Sequence, residues 1–404
     1  MIVKFFFRTL SEVSWRLLFK AGWLWCTKGL FALRAFKKRC KKGILFPPFL
    51  FFSLTGACNL RCRGCWVSPS PKELSVEMMN TAIEIGQKNS VYFYTLLGGE
   101  PFLAPSMWTV MDRHPEAYFQ VITNGQFLDA ENVARLKKLG NVSPLVSIDG
   151  LETDNDARRG AGTFAKAIDG CRELQKQKML YGVATVVTAE NFESVVTEDF
   201  VRKFIDLGAL YLWFYVYRPV GEDPAPELAL DREKLPELRR RLLKLRRKTP
   251  IILIDTYWDA EGRAVCPASK GMSFVIGTGG EITPCPPLTV AREFLSDNNG
   301  DFFKTVDGSG FLRRFMRFIR DKYDGETSQG CVIIDYPKEL AEFFRNESVT
   351  DCSGRDFLAE LENSPPKTPS SRSSHYLPGE ELPEDFWVYR LLKKTLFFGM
   401  GAYG

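Results

Sequence analysis

Three thiols crowd into residues 55–66, T-G-A-C-N-L-R-C-R-G-C-W, as Cys58, Cys62 and Cys65. They follow the apolar run 49–54, which the sequence predicts as a buried strand, so the thiols stand on the loop that leaves it. C-x3-C-x2-C spacing lets three soft donors converge on one metal centre. No further Cys or His follows until His114 and Cys171. Structural zinc takes four protein ligands, whereas an iron-sulfur cluster held by three thiolates keeps one iron open to an outside ligand. The triplet therefore predicts a cluster with a vacant coordination position.

A second thiol group lies far downstream. Cys266 is followed by thirteen residues, Gly280, four more residues and Cys285, with Cys331 and Cys352 beyond. Residues 273–276 and 279–283 read as a glycine-turned hairpin that brings Cys266 and Cys285 near each other. Four Cys in this part of the chain point to a metal rather than to core packing, and zinc in an all-thiolate tetrahedron competes with iron-sulfur there. Cys26, Cys40 and Cys171 are read as small buried or incidental thiols. The two histidines, His114 and His375, fall at no predicted strand end, which disfavours imidazole acid-base chemistry.

Between the thiol groups, strands and helices alternate. Strands are predicted at 49–54, 91–97, 119–123, 145–148, 183–188 and 210–217, and helices at 76–87, 105–113, 130–139, 164–178 and 194–207. Six such units imply a parallel sheet with external helices, either doubly wound or curled into a partial barrel, with ligands at the C-terminal strand ends. Polar residues stand at those ends: Gly98-Gly99-Glu100-Pro101 after the second strand, Thr123-Asn124-Gly125 after the third, and Ser147 to Gly150, S-I-D-G, after the fourth. Any one of these is explained by turn chemistry. Together with the Cys triplet they suggest one site.

The Cys triplet and the G-G-E-P turn make the chain resemble the radical SAM enzymes. The resemblance covers about residues 49–220 and implies a partial (β/α)6 barrel. It implies a [4Fe-4S] cluster on Cys58, Cys62 and Cys65 whose open iron chelates S-adenosylmethionine. One electron then cleaves the sulfonium, and the resulting 5′-deoxyadenosyl radical takes a hydrogen atom from the substrate. By the same resemblance Gly98, Gly99, Glu100 and Pro101 receive the methionine amino group. Ser147 and Asp149 stand near the ribose, Thr123 and Asn124 on the third strand, and residues 183–187 beside adenine. The family usually places an aromatic before the third Cys; here that residue is Gly64, and Trp66 is the candidate for its role. The Cys266–Cys285 spacing resembles the SPASM or twitch extensions, which implies an auxiliary [4Fe-4S] cluster with Cys331 and Cys352 as remaining ligands. An electron donor such as flavodoxin or ferredoxin follows from the chemistry. No catalytic side chain is assigned; Tyr217, Arg218 and Asp255 are substrate-contact or structural residues.

With 404 residues and 45% hydrophobic content, the chain has length for a large domain and a smaller one. The expected divisions are 1–48, a basic helical segment; 49–250, the sheet core; 251–362, a small α+β auxiliary-cluster domain; and 363–404, a linker and a terminal amphipathic helix over 384–398. Residues 1–50 carry eleven Lys and Arg against one acid, Glu12, a net of +10 against +5 for the whole chain. Basicity is thus local, and nucleic acid is not implied. Residues 2–37 read as a basic amphipathic helix or helix pair, either packed on the core or lying in a membrane interface, since charges interrupt it too often for a span. The helix at 231–248 reads as a solvated outer helix. Without a cleavable signal, ten Cys suggest a reducing cytoplasm, with peripheral attachment to its membrane as an option.

Peptide or protein side chains are the expected substrates, a lipid or other membrane-associated molecule being the alternative. A non-catalytic iron-sulfur or zinc carrier is the reading from another class.

Overall fold

The computed structural model describes residues 2–231, 234–255, 266–322, 331–364, 387–389 and 391. Its centre is a sheet of β1 (Phe49–Ser53), β2 (Phe93–Leu97), β3 (Tyr118–Thr123), β4 (Val142–Ser147), β5 (Gly182–Val187), β6 (Tyr211–Val216) and β7 (Ile252–Asp255), all parallel and adjacent in chain order. Right-handed crossovers between successive neighbours put every helix on the same face. A doubly wound sheet would reverse its order midway, so the curled, barrel-type reading is the one that holds. The chain then returns to the opposite edge. There β8 (Ser273–Ile276) pairs parallel with β1, followed by antiparallel β9 (Glu281–Thr283) and, beyond the short β10 (Val290–Ala291), by β11 (Glu293–Phe294). Strand β12 (Thr350–Asp351) pairs with β10 in a separate two-stranded ladder.

Ahead of the sheet lie α1 (Ile2–Glu12), α2 (Trp15–Trp23), a π-helical turn (Leu24–Gly29) and α3 (Leu30–Lys41). The outer layer of the sheet is α4 (Val76–Lys88), α5 (Pro105–Arg113), α6 (Ala130–Leu139), α7 (Glu152–Arg159), α8 (Thr163–Lys176), α9 (Phe192–Val195), α10 (Glu198–Asp206) and α11 (Lys234–Lys248). Helix α4 shows why: Ser75 Oγ accepts from the Met78 N–H to start it, and Met79, Ala82, Ile83 and Gly86 make one buried stripe at helical spacing. Asp129 caps α6 in the same way, and Gly140, at φ +72°, ends it. The predicted helix at 194–207 is two, α9 and α10, because Val196 and Thr197 leave helical geometry and the Thr197 side chain caps a new start.

Alternation along each strand separates two cores. Leu50, Phe52, Tyr94, Val121, Val183 and Phe214 face the helices in the main cluster, where truncating a residue such as Phe52 costs about 3–5 kcal/mol. Phe51, Leu97, Leu145, Ala184 and Trp213 face the other way, into the hollow of the curl.

Contacts from α1 and α2 go to the chain just before β4, β5, β6 and β7. Lys20 Nζ donates to the Leu139 carbonyl at 2.7 Å, Ser14 N to Lys178 at 2.9 Å, Arg8 Nη2 to Ala209 at 3.1 Å and Arg8 Nη1 to Pro250 at 2.6 Å. Trp25 meets Phe93 and Tyr118, at the starts of β2 and β3, with ring centroids 5.0 and 6.1 Å apart. The N-terminal helices therefore cover the N-terminal ends of the strands. Asn363, expected in the linker, instead ends the helix Phe357–Asn363; the linker from residue 365 on and most of the last helix lie outside the described residues. Of that helix Tyr389 is buried, its hydroxyl accepting from Leu253 N at 2.9 Å.

Candidate active site at the strand C-termini

The loop after β1 is pinned from three sides. Gly99 N donates to the Thr55 carbonyl at 2.6 Å and Glu100 N to that of Ala57 at 2.9 Å, so the G-G-E-P turn lies against the backbone just ahead of Cys58. A β-carbon on Gly98 would meet Thr55 O at 2.4 Å, and one on Gly99 would meet Ala57 O at 2.2 Å. These glycines are needed for that backbone approach itself. From α7, the Arg158 carbonyl accepts from Arg63 N at 2.8 Å. From the chain after β6, Gly221 packs so closely on Cys65 that a β-carbon would lie 2.2 Å from its carbonyl oxygen.

Gly64 has φ +66°, and a β-carbon there would sit 2.1 Å from Tyr217 Oη. Tyr217, buried just after β6, occupies the space where a side chain on Gly64 would be, and its hydroxyl accepts from Ala225 N at 3.2 Å. An aromatic thus borders the triplet, delivered from a distant strand. Trp66 packs on Phe51, Leu97 and Val275 on the hollow side of the sheet.

Glu100 is fully buried. Its carboxylate accepts from Thr123 Oγ1 at 2.7 Å, Asn124 N at 2.8 Å and Phe102 N at 3.2 Å, tying β2 to β3. Burial raises its pKa to about 7 against the pull of those three donors. Pro101 opens the short 3-10 turn beyond it. Asn124 Nδ2 reaches the Cys58 sulfur at 3.8 Å and Asn59 Oδ1 at 2.8 Å. Thr123 and Asn124 therefore support the cysteine loop through Glu100 and through Asn59.

Asp149 is also fully buried and is braced by two residues that sequence reasoning missed. Arg158 Nη1 and Arg159 Nε, the latter at 2.6 Å, both bond its Oδ2, while Oδ1 accepts from Val186 N at 2.8 Å. Burial pushes this carboxyl up, but the Arg159 and Arg158 guanidinia outweigh it and hold it below the usual range. The missed signal was the Arg pair closing the helix that begins right after S-I-D-G. Ser147 is half-buried at the end of β4.

Burial raises the Cys58 and Cys62 thiols; at Cys62 Arg159 and Arg158 oppose it, and the neighbouring thiols of the triplet act on each other. Among the described residues no three His, Cys, Asp or Glu side chains form a closed ion cage. The donor chemistry nonetheless suits an anionic cluster: three thiols share a loop beside two arginines that carry one more charge than Asp149 neutralises. Among the described residues, Arg158 Nε is buried without a partner.

The second group assembles from three separated segments. Cys266 precedes a 3-10 turn, Cys285 follows β9, and Cys331 starts a short helix. Burial raises Cys266 to about 12, with the Cys331 thiol adding to it, and raises Cys285 further, with Cys331 and Cys266 among its neighbours. Arg218 Nε donates to Cys331 Sγ at 3.1 Å. Cys352 follows β12: its N–H donates to Thr289 O at 2.8 Å, and burial, then Glu281 and Asp351, raise it to about 12. Asp255 is not at the site, being buried against Arg239 and Arg246.

The hollow of the curl is lined by aromatic and polar side chains. Tyr211 Oη and Ser143 Oγ lie 2.6 Å apart, Trp213 and Tyr215 stack with centroids 5.6 Å apart, and the buried Trp213 Nε1 has no partner among the described residues.

Residues 52–201 match the Radical SAM superfamily. The chain is 34% identical over 158 residues to Mycofactocin maturase MftC of Mycobacterium ulcerans, covering 37% of this chain and 42% of that protein. It is 28% identical over 252 residues to Sporulation killing factor maturation protein SkfB of Bacillus subtilis, covering 59% and 60%. Each match spans less than two thirds of the relative's length. In fold, the chain resembles Streptococcus suis SuiB bound to precursor peptide SuiA, with TM-score 0.60 and 15% identity over 85% of this chain and 79% of that one. The cysteine loop at the mouth of the seven-strand parallel curl agrees with the match of residues 52–201 to the Radical SAM superfamily.

Proposed function

We propose that this protein is a radical SAM enzyme that modifies a peptide. Cys58, Cys62 and Cys65 would hold a [4Fe-4S] cluster whose open iron binds S-adenosylmethionine, and the bound pair supplies one-electron cleavage of the sulfonium and hydrogen abstraction. The observation that carries this reading is the pinning of the triplet loop by the G-G-E-P turn and Tyr217 at the strand C-termini.

The chain's own residues orient and shield. Glu100, already engaged by three donors, keeps the turn rigid. The methionine amino group would then be met largely by backbone oxygens of 98–101. Asp149 fixes Arg158 and Arg159 beside the cluster and closes the β4–β5 end, with Ser147 near the ribose and Trp66 on the hollow side. Cys266, Cys285 and Cys331 are the core of an auxiliary cluster site, with Cys352 the weakest member of the set. A ferredoxin or flavodoxin would deliver the electron.

A peptide substrate is favoured because the named relatives are maturation proteins and SuiB binds a precursor peptide. The hollow supports it too, being faced by the aromatic rings of Tyr211, Trp213 and Tyr215. The second reading, a lipid-borne substrate, draws on the exposed aromatic helices, but these cover the strand ends opposite the cysteine loop.

The test is anaerobic reconstitution with iron, sulfide, dithionite and S-adenosylmethionine, with and without a short peptide encoded beside this gene. Production of 5′-deoxyadenosine, abolished in Cys62→Ala, and a mass change in the peptide are expected. An intact cluster that yields no 5′-deoxyadenosine would leave an iron-sulfur carrier as the function.

A further inference from the structure

We propose that the outer face of α1–α3 docks on an anionic lipid surface and holds the enzyme with its cysteine loop turned away from the bilayer. From α2 through α3, the inner stripe Leu17, Ala21, Leu24, Ala32 and Phe36 is buried against the body. The opposite stripe is aromatic and in water: Trp15 is 70% exposed, Phe19 76%, Trp23 59% and Phe31 60%, continued on α1 by Phe7 at 63%. On α2 the rings of Trp15, Phe19 and Trp23 recur every four residues and so share one face, and an exposed aromatic face of this kind marks an interaction site.

Its charges identify the partner. Lys4, Arg16, Arg34, Lys38, Lys41 and Lys42 are exposed around the stripe. The one acid in residues 1–50, Glu12, is bridged by Arg8. Aromatic rings flanked by Lys and Arg suit the headgroup layer of an anionic bilayer, whereas a second copy of the same face would bring like charges together. Among the described residues no helix is long and apolar enough to cross a membrane, so the helices would lie in the interface.

The orientation follows from the attachment points. Arg8, Lys20 and Trp25 fasten these helices to the N-terminal strand ends, while the thiol loop stands at the C-terminal ends. A substrate would reach the mouth from the aqueous side.

Flotation of the full-length protein with vesicles tests this. Binding is expected to vesicles of phosphatidylcholine mixed with phosphatidylglycerol and to be much weaker with phosphatidylcholine alone. Lys38→Gln/Lys42→Gln should weaken binding roughly tenfold or more. Phe19→Ser/Trp23→Ser should abolish it while leaving the melting temperature and 5′-deoxyadenosine formation unchanged. Failure of the wild type to float with anionic vesicles, or equal flotation of the Phe19/Trp23 variant, overturns the proposal. So does a wild-type dimer in sedimentation that this variant converts to monomer, which would assign the face to a second copy.

Discussion

The two thiol groups are built in opposite ways. Cys58, Cys62 and Cys65 share one loop, half-buried, and the fold's work is to clamp that loop from β2, α7 and the chain after β6. Cys266, Cys285 and Cys331 come from three segments and meet only when those segments pack. In the first group chain connectivity sets the spacing and tertiary contacts set the orientation. In the second, tertiary structure does both.

Breaking the first group at a ligand should have the largest effect. Cys62→Ala is expected to reduce 5′-deoxyadenosine to background in a chromatographic assay, with the fold intact by circular dichroism. Breaking its clamp should act through stability. Asp149→Ala leaves Arg158 and Arg159 with an uncompensated buried charge, and a loss of about 3–5 kcal/mol is expected in urea unfolding.

The second group should respond unevenly. Cys331→Ala is expected to remove about four iron atoms from the reconstituted chain while sparing the cleavage of S-adenosylmethionine. Cys352→Ala should remove fewer, because that thiol is placed beside Glu281 and Asp351. Equal iron losses would put Cys352 among the ligands and erase the distinction drawn here.

The smallest effect concerns pH. Burial raises Glu100 from 4.5 to about 7, so the folded state binds its proton more tightly than the unfolded chain. Stability from this group is full below pH 4.5 and falls as pH rises to about 7, by roughly 3 kcal/mol. The apo wild type should therefore lose urea resistance over that window more steeply than Glu100→Gln, whose side chain does not titrate. Matching slopes would mean that the three hydrogen bonds hold the carboxylate ionised throughout.

What could be read in advance follows the same division. The triplet, the G-G-E-P turn and the six strand-helix units are short-range patterns, and the strands fall within two or three residues of expectation. Tyr217 beside Gly64, the Arg pair on Asp149 and Arg218 on Cys331 join residues far apart in the chain or hidden in a helix end, which no local spacing encodes. Asp255, a candidate substrate contact, is a buried partner of Arg239 and Arg246, since the helix that reads as solvated, α11, turns both arginines inward. The pairing of β8 with the β1 edge was equally invisible, because its apolar residues Phe274, Val275 and Ile276 do not specify a partner strand.

That return has a practical consequence for dissection. Strand β1, F-L-F-F-S, is sealed on one side by β2 and on the other by β8. A fragment ending after β7 would uncover an apolar strand edge with unpaired amides, the kind that recruits further strands and precipitates. Attempts to express residues 49–255 alone should yield aggregate, and a soluble minimal version must keep the hairpin that begins at Ser273.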